Sequence, residues 1–512
     1  METNSSSNKR IAKNTMMLYL RMFLTMAVSL YTSRIILNTL GIEDFGIYNV
    51  VGGFVTMFAF LNSSMASATQ RFLSFEIGRK DSVKLGNVFS MSVNIHFIIA
   101  FVILIFAETV GLWFLNTQLT LPPDRMVAAQ WVYQFSILAL MVNMVSVPYN
   151  AIIIAHERMN VFAWVSIAEV SLKLLIVFML QWFGFDKLKL YAILIFAVTL
   201  IIRMVYGVYC NKNFKESKFR FFWDKPLFNT LMSYAGWNLW GNAASVIMDQ
   251  GLNILLNIFF GPVINAARAI AFQVKSAVQQ FVGNFQMAIN PQIIKSYASE
   301  DLKYMHQLIF QGAKYSFFLL FIMSLPIFIE AEIILRLWLK TVPEYTVIFT
   351  RLVIINILID SISGPLMTAA QASGKIKQYQ SVVGLLLVLN LPISYLFLKM
   401  DYSPEVTLYV GISLSIIALY ARLKIISPLV NLSISEYLNN VVLRIIPVVF
   451  IAFISPTLVY ISLEENFIRL LLTGITSIAS VLMTIYYIGL SKIEQQFMNR
   501  KVKQLFNKIK SR

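Results

Sequence analysis

The residues able to do chemistry in this chain are charges and amides set inside long apolar stretches. Arg268 and Lys275 lie about 20° apart around an α-helix, and Gln279 and Gln286 fall on the same face. In the stretch before them, Asn238, Asn242, Ser245, Asp249 and Asn253 recur at helical spacings and give a second polar face with one acid. Asn49, Thr56, Ser63, Ser67 and Gln70 make a third, and Arg21, Thr25 and Thr32 a fourth. Arg34 stands about 140° around a straight helix from Arg21, so the two share a cavity only if that helix bends. A guanidinium offers paired donors to phosphate oxygens and an ammonium a mobile point charge, while amides and hydroxyls suit uncharged sugar hydroxyls. The pattern points to a phosphorylated saccharide as ligand, with Arg21, Arg34, Arg268, Lys275, Gln279 and Asn242 binding it. Asp249 and Asp360 are the candidate carriers of a coupling Na⁺ or H⁺.

Each of these residues also has a plainer role open to it. Arg268 and Lys275 can pair with Asp249 to hold helices together, Arg21 and Arg34 can snorkel to the membrane surfaces, and Asp360 can pack against Arg351. Glu169 and Lys173, at i and i+4 in the favourable order, read as an intrahelical ion pair. No catalytic residue stands out. The chain has a single cysteine, Cys210, and three histidines, His96, His156 and His306, at no ligand spacing, so no metal is expected. No G-x-x-x-x-G-K-[ST] loop is present, and no cofactor is expected beyond the coupling ion.

The elements that must position these side chains are membrane helices. The chain is 58% hydrophobic and 13% charged, with a mean hydropathy of +0.70, whereas soluble domains hold about 45–50% apolar and about 25% charged residues. The apolar runs are long enough for roughly fourteen spans, so an all-α integral membrane protein is expected. The polar faces fall on spans one (14–39), two (46–70), seven (229–259) and eight (264–290). An ionisable side chain within a span costs at least about 2.5–3.5 kcal/mol on insertion scales, so such groups face protein or water.

The net charge of +17 reads as a topology signal. With the N-terminus in the cytoplasm, Lys9, Arg10 and Lys13, Arg71 to Lys84, Lys212 to Lys225, Lys375, Lys377 and the tail from Lys492 fall inside. The opposite loops are short and marked by Glu43, Asp44, Asp124, Asp401, Glu464 and Glu465. Both termini are expected inside, and the basic tail suits anionic lipid rather than nucleic acid.

The chain also repeats itself. Asn14-Thr15-Met16-Met17 matches Asn229-Thr230-Leu231-Met232, and from Gly41 and Gly261 the halves run without a gap to Asp81 and Asp301. Leu112-Trp113 matches Leu337-Trp338. Pro148 precedes Ala155-His156-Glu157-Arg158 as Pro365 precedes Ala372-Ser373-Gly374-Lys375. An even number of spans per copy makes the repeats parallel. The expected division is residues 1–211 (helices one to six), a linker at 212–228, residues 229–430 (helices seven to twelve), an appended helix pair within 431–490, and a basic tail at 491–512.

The stretch Leu40-Gly41-Ile42-Glu43-Asp44-Phe45-Gly46-Ile47-Tyr48-Asn49, the segment Phe260-Gly261-Pro262-Val263-Ile264-Asn265-Ala266-Ala267-Arg268 and the span count resemble the polysaccharide-transporter branch of the MATE-like MOP flippases. These are the Wzx-type O-antigen and capsule flippases of bacteria. The resemblance covers nearly the whole chain. It implies two six-helix lobes in a V around a central cavity, in a bacterial inner membrane. It further implies movement of an undecaprenyl-pyrophosphate-linked oligosaccharide, the repeat unit of O-antigen (lipopolysaccharide), capsule or exopolysaccharide, from the inner to the outer leaflet. Polysaccharide polymerase or assembly proteins would then be partners. The alternatives are a cation-coupled multidrug antiporter of the MATE class, which favours acids over the cations found here, a lipid II flippase, and a membrane polysaccharide polymerase, which the short outer loops disfavour.

Overall fold

The computed structural model describes residues 2–56, 59–117, 122–182, 184–339, 342–496 and 499, and these are helical throughout, without a strand. In chain order the principal helices are α1 (Glu2–Thr56), α2 (Ala59–Arg79), α3 (Ser82–Thr117), α4 (Pro123–Ala155), α5 (Met159–Trp182), α6 (Lys187–Asn213) and α7 (Lys225–Phe260). They continue as α8 (Pro262–Ala298), α9 (Leu302–Ile329), α10 (Thr346–Ser373), α11 (Lys377–Lys399), α12 (Val406–Val430), α13 (Ile434–Ser462) and α14 (Phe467–Gly489). A short amphipathic helix, Ala331–Leu339, follows α9.

Eleven of these, α3 to α7 and α9 to α14, are long and apolar enough to cross a membrane, and the protein is a multi-pass integral membrane protein. The count is of the described residues.

Breaks between helices recur at matching positions in the two halves. Gly41 (φ 82°) interrupts α1, and Gly261 (φ 76°) separates α7 from α8. Lys80 and Glu300 both take φ 60°. They close α2 and α8 with the same bonds: Lys80 N–H donates to Ile77 and Asp81 N–H to Glu76, as Glu300 N–H does to Tyr297 and Asp301 N–H to Ser296. Left-handed caps of this kind satisfy carbonyls that a helix end would leave bare. Glu157 (φ 59°) and Gly374 (φ 75°) are a third such pair, after α4 and within the α10–α11 turn. The duplication is thus written into backbone geometry as well as residue type.

The chain divides into two compact units, one of 1–239 with 294–301, the other of 240–293 with 302–512. In the first, Ile47, Val51 and Val55 of α1 pack with Ile103 and Ala107 of α3, Tyr133 of α4 and Leu188 of α6. Tyr133 donates its hydroxyl to the Ala107 carbonyl at 2.7 Å, where α3 opens into a π-helical turn. At one end of this unit Arg125 bridges Asp44 (2.6 Å) and Asp186 (2.8 Å), and Asp186 also caps α6. In the second unit α14 and the residues just beyond it are fastened to α9 and its end by ion pairs, while Phe453 of α13 packs on Phe321 and Phe328 of α9. Arg469 meets Glu330, just past α9, at 3.1 Å, and Lys314 meets Glu494, beyond α14, at 2.7 Å.

The histidines take structural places. His96 is buried with Nδ1 2.7 Å from the Ser92 carbonyl, His156 stacks on Phe214 and contacts Glu216, and His306 lies 2.8 Å from the Val430 carbonyl. Among the described residues no cluster could hold a metal ion.

Candidate functional site

The two polar stripes around Gly261 meet because α7 and α8 form an antiparallel hairpin. Near its tip, Asn265 donates to both the backbone and side-chain oxygens of Asn253 at 2.7 Å, and Asn257 donates to Asn265 at 3.2 Å. Amides at spacings that looked ligand-directed thus lace the hairpin together. One turn further along α8, Arg268 lies over the ring of Phe272 at 4.1 Å and reaches Asp249 of α7 at 3.4 Å. Lys275 lies over the same ring at 4.8 Å. The negative face of an aromatic ring is a favourable neighbour for a cation within about 6 Å, so Phe272 holds both charges in register.

Asp249, Arg268, Lys275, Asn356, Asp360 and Ser415 line one cavity of about 90 Å³ in the second unit. Asp360, on α10, lies within electrostatic reach of Arg422 and Lys275. Asn356 donates to Ser415 at 3.2 Å, and the buried Arg422 of α12 donates to Ser363 at 3.0 Å. Two cations and two acids thus line a space that holds a few waters or a small ion, with Arg422 within electrostatic reach of Asp360. Drug-sized ligands occupy about 300–1,000 Å³, so an oligosaccharide does not fit inside it.

Of the residues singled out in the sequence, Arg268, Lys275, Asp249 and Asp360 converge on this cavity. Asn242 and Gln279 are exposed on the surface of the same unit. Gln286 turns inward instead, donating to Ser316 at 3.2 Å and to the Ser361 carbonyl at 3.3 Å. Arg21 belongs to the first unit, where it is half-buried over the ring of Phe162 at 4.8 Å. The side chain of Arg34 lies outside the described residues. Arg351 does not serve Asp360: it donates to the carbonyls of Phe328 and Ile329. Glu169 and Lys173 form the expected bridge at 2.6 Å.

Sequence reasoning missed Arg422 and Phe272. An arginine inside the apolar run of α12 was the signal for the first. The position of Phe272 between Arg268 and Lys275, at one-turn spacings, was the signal for the second.

This fold is similar to that of solved MATE and other MOP superfamily transporters. An outward-facing multidrug resistance MATE family transporter of that superfamily superposes with a TM-score of 0.69 at 12% identity, over 83% of this chain and 96% of its own. The Vibrio cholerae MATE transporter VcmN in the bent form gives 0.68 at 14% identity, over 86% and 100%. A MOP superfamily transporter from Pyrococcus furiosus, described as having a binding pocket of reverse polarity, gives 0.66 at 13% identity, over 83% and 96%. No curated protein is similar in sequence. The family is fixed by sequence: the profile of the polysaccharide biosynthesis proteins matches residues 11–297, and the chain belongs to that family.

Proposed function

We propose that the protein is a flippase that moves an undecaprenyl-pyrophosphate-linked oligosaccharide, the repeat unit of an O-antigen, capsule or exopolysaccharide, from the inner to the outer leaflet by alternating access. The observation that carries this reading is the pair of cations that α8 of a polysaccharide biosynthesis protein brings to one cavity, Arg268 at 3.4 Å from Asp249 and Lys275 over the same aromatic ring. A pyrophosphate matches such a pair, Arg268 through its paired donors and Lys275 as a point charge. Asn242 and Gln279, with Arg21 and Arg34 of the first unit, complete the proposed substrate set, and the polyprenyl tail stays in lipid. The membrane is the bacterial inner membrane, with both termini cytoplasmic as the charge bias requires.

Asp249 and Asp360 take the coupling ion. Arg268 cannot serve Asp249 and a phosphate fully at once, so a cation or proton on Asp249 frees Arg268 for substrate. The two ligands are thereby linked, as any two ligands sharing one partner must be. In cells lacking the native flippase, Arg268→Gln and Lys275→Gln should each remove surface polysaccharide and leave lipid-linked units on the inner leaflet, with the protein still in the membrane. Normal polymer from both variants overturns the substrate assignment.

A further inference from the structure

The most deeply held charge in the first unit is that of Glu157. The side chain of Glu157, in the turn between α4 and α5, has no solvent exposure. Lys295 of α8 donates to one of its oxygens at 2.5 Å and Arg10 of α1 meets the other at 2.6 Å. The buried Asn14 donates to its backbone carbonyl at 3.0 Å.

Backbone geometry makes this glutamate conspicuous. Position 157 takes a left-handed φ of 59°, and its counterpart in the second repeat, with the same handedness, is Gly374. Glycine adopts that conformation freely and glutamate does not. A side chain retained against backbone preference points to a role for that side chain.

The far end of α8 supplies three further observations. Pro291 stands inside the helix, where it removes a backbone hydrogen bond and allows bending. The helix passes from the second unit to the first between Ile293 and Ile294, just before Lys295. Beyond that point it lies against α2 so closely that a Cβ on Gly78 would come within 2.7 Å of the Lys295 carbonyl oxygen and of the Ala298 Cβ. Phe75 and Tyr297 meet alongside at 6.4 Å. A bending point, a change of unit and a two-cation clasp on one carboxylate thus follow one another within a few residues.

We propose that Arg10, Glu157 and Lys295 form a releasable latch on the end of α8. The segment beyond Pro291 leaves α2 and the α4–α5 turn once per transport cycle, so the proposal rests on the transport reading above. One carboxylate between two cations suits such a device. When Lys295 withdraws, Arg10 remains to neutralise Glu157, and the half-exposed Arg10 can follow it as the site opens.

The test replaces the one cysteine with serine (Cys210→Ser) and places a reporter at Ser74→Cys, a fully buried position one turn before Gly78 on α2. A membrane-impermeant maleimide is applied to inverted vesicles. Lys295→Met should raise the labelling rate at position 74 by about tenfold or more, which corresponds to ~1.4 kcal/mol in the closing equilibrium, whereas Arg10→Gln, which leaves Glu157 without a partner once Lys295 withdraws, should lower it. A second reporter, Ser92→Cys, is equally buried in α3 and should stay unlabelled in both variants. Unchanged labelling at position 74 overturns the latch, and so does an equal rise at 92, which reports general loosening. If position 74 responds as stated but the unaltered protein moves no lipid-linked saccharide, the substrate reading fails and the latch stands.

Discussion

Neutralising Asp249 should strengthen substrate binding. In the structure Arg268 is shared with Asp249 at 3.4 Å. Two unit charges at that distance interact by ~5 kcal/mol at an effective dielectric constant of about 20. The Asp249 side chain is 40% exposed, and exposed pairs retain at most about 1 kcal/mol after screening and side-chain entropy. The intermediate value of ~1–2 kcal/mol gives a factor of about 5–30. Asp249→Asn should therefore tighten binding of an undecaprenyl-pyrophosphate saccharide by about that factor and diminish the response of binding to pH or Na⁺, leaving the part carried by Asp360. The assay is equilibrium binding of a fluorescent lipid-linked saccharide to protein in nanodiscs, across pH and Na⁺ concentration. Weaker binding by Asp249→Asn, or an undiminished ion response, refutes competition for Arg268.

Phe272→Leu keeps the volume near Arg268 and Lys275 but removes the ring face beneath both. With about 0.5–2 kcal/mol per cation–π contact, saccharide affinity in the same assay should fall about tenfold, and unchanged affinity would deny the ring its positioning role. Arg469→Leu strands Glu330, which is 1% exposed. Breaking a buried pair from one side costs about 3–5 kcal/mol, so the thermal midpoint in detergent should drop, and the double variant Glu330→Gln/Arg469→Leu should recover part of the loss. Equal midpoints for single and double variants contradict the pair's coupling. His156 holds the Glu216 carboxyl below its usual range through a 2.6 Å contact. A depressed carboxyl contributes its stability fully above its unfolded value of about 4.3 and loses it as pH falls through the folded value. Midpoints of His156→Ala and the parent should accordingly converge on acidification, and a gap that persists below the folded value is the contrary result.

Periodicity revealed the polar stripes and the repeat, because both are properties of one helix or of two aligned segments. Gly41 and Gly261 were visible as helix ends, and their positive φ values follow from residue type. Partner choice between helices was less legible. The face containing Arg268 and Lys275 also contains Gln286, which binds Ser316 and Ser361 instead of facing a ligand. A stripe about one helix wide can be divided between solvent at one level and neighbouring helices at another. Arg422 joined Asp360 only through the packing of α12 on α10, and Arg351 was drawn away by free carbonyls at the end of α9. Glu157 entered the sequence reading only as part of the repeat, because its three partners come from α1 and the end of α8, far away in sequence.

The central claim is transport of a lipid-linked saccharide driven through the charges around Arg268. Its most direct test is reconstitution of the purified protein in liposomes carrying a fluorescent undecaprenyl-pyrophosphate oligosaccharide in one leaflet, under an imposed pH or Na⁺ gradient. Transfer is read as newly gained access of the saccharide to an impermeant glycan-modifying reagent. The account predicts gradient-dependent transfer that Arg268→Gln abolishes. Gradient-driven efflux of organic cations with no movement of the lipid-linked saccharide would contradict it.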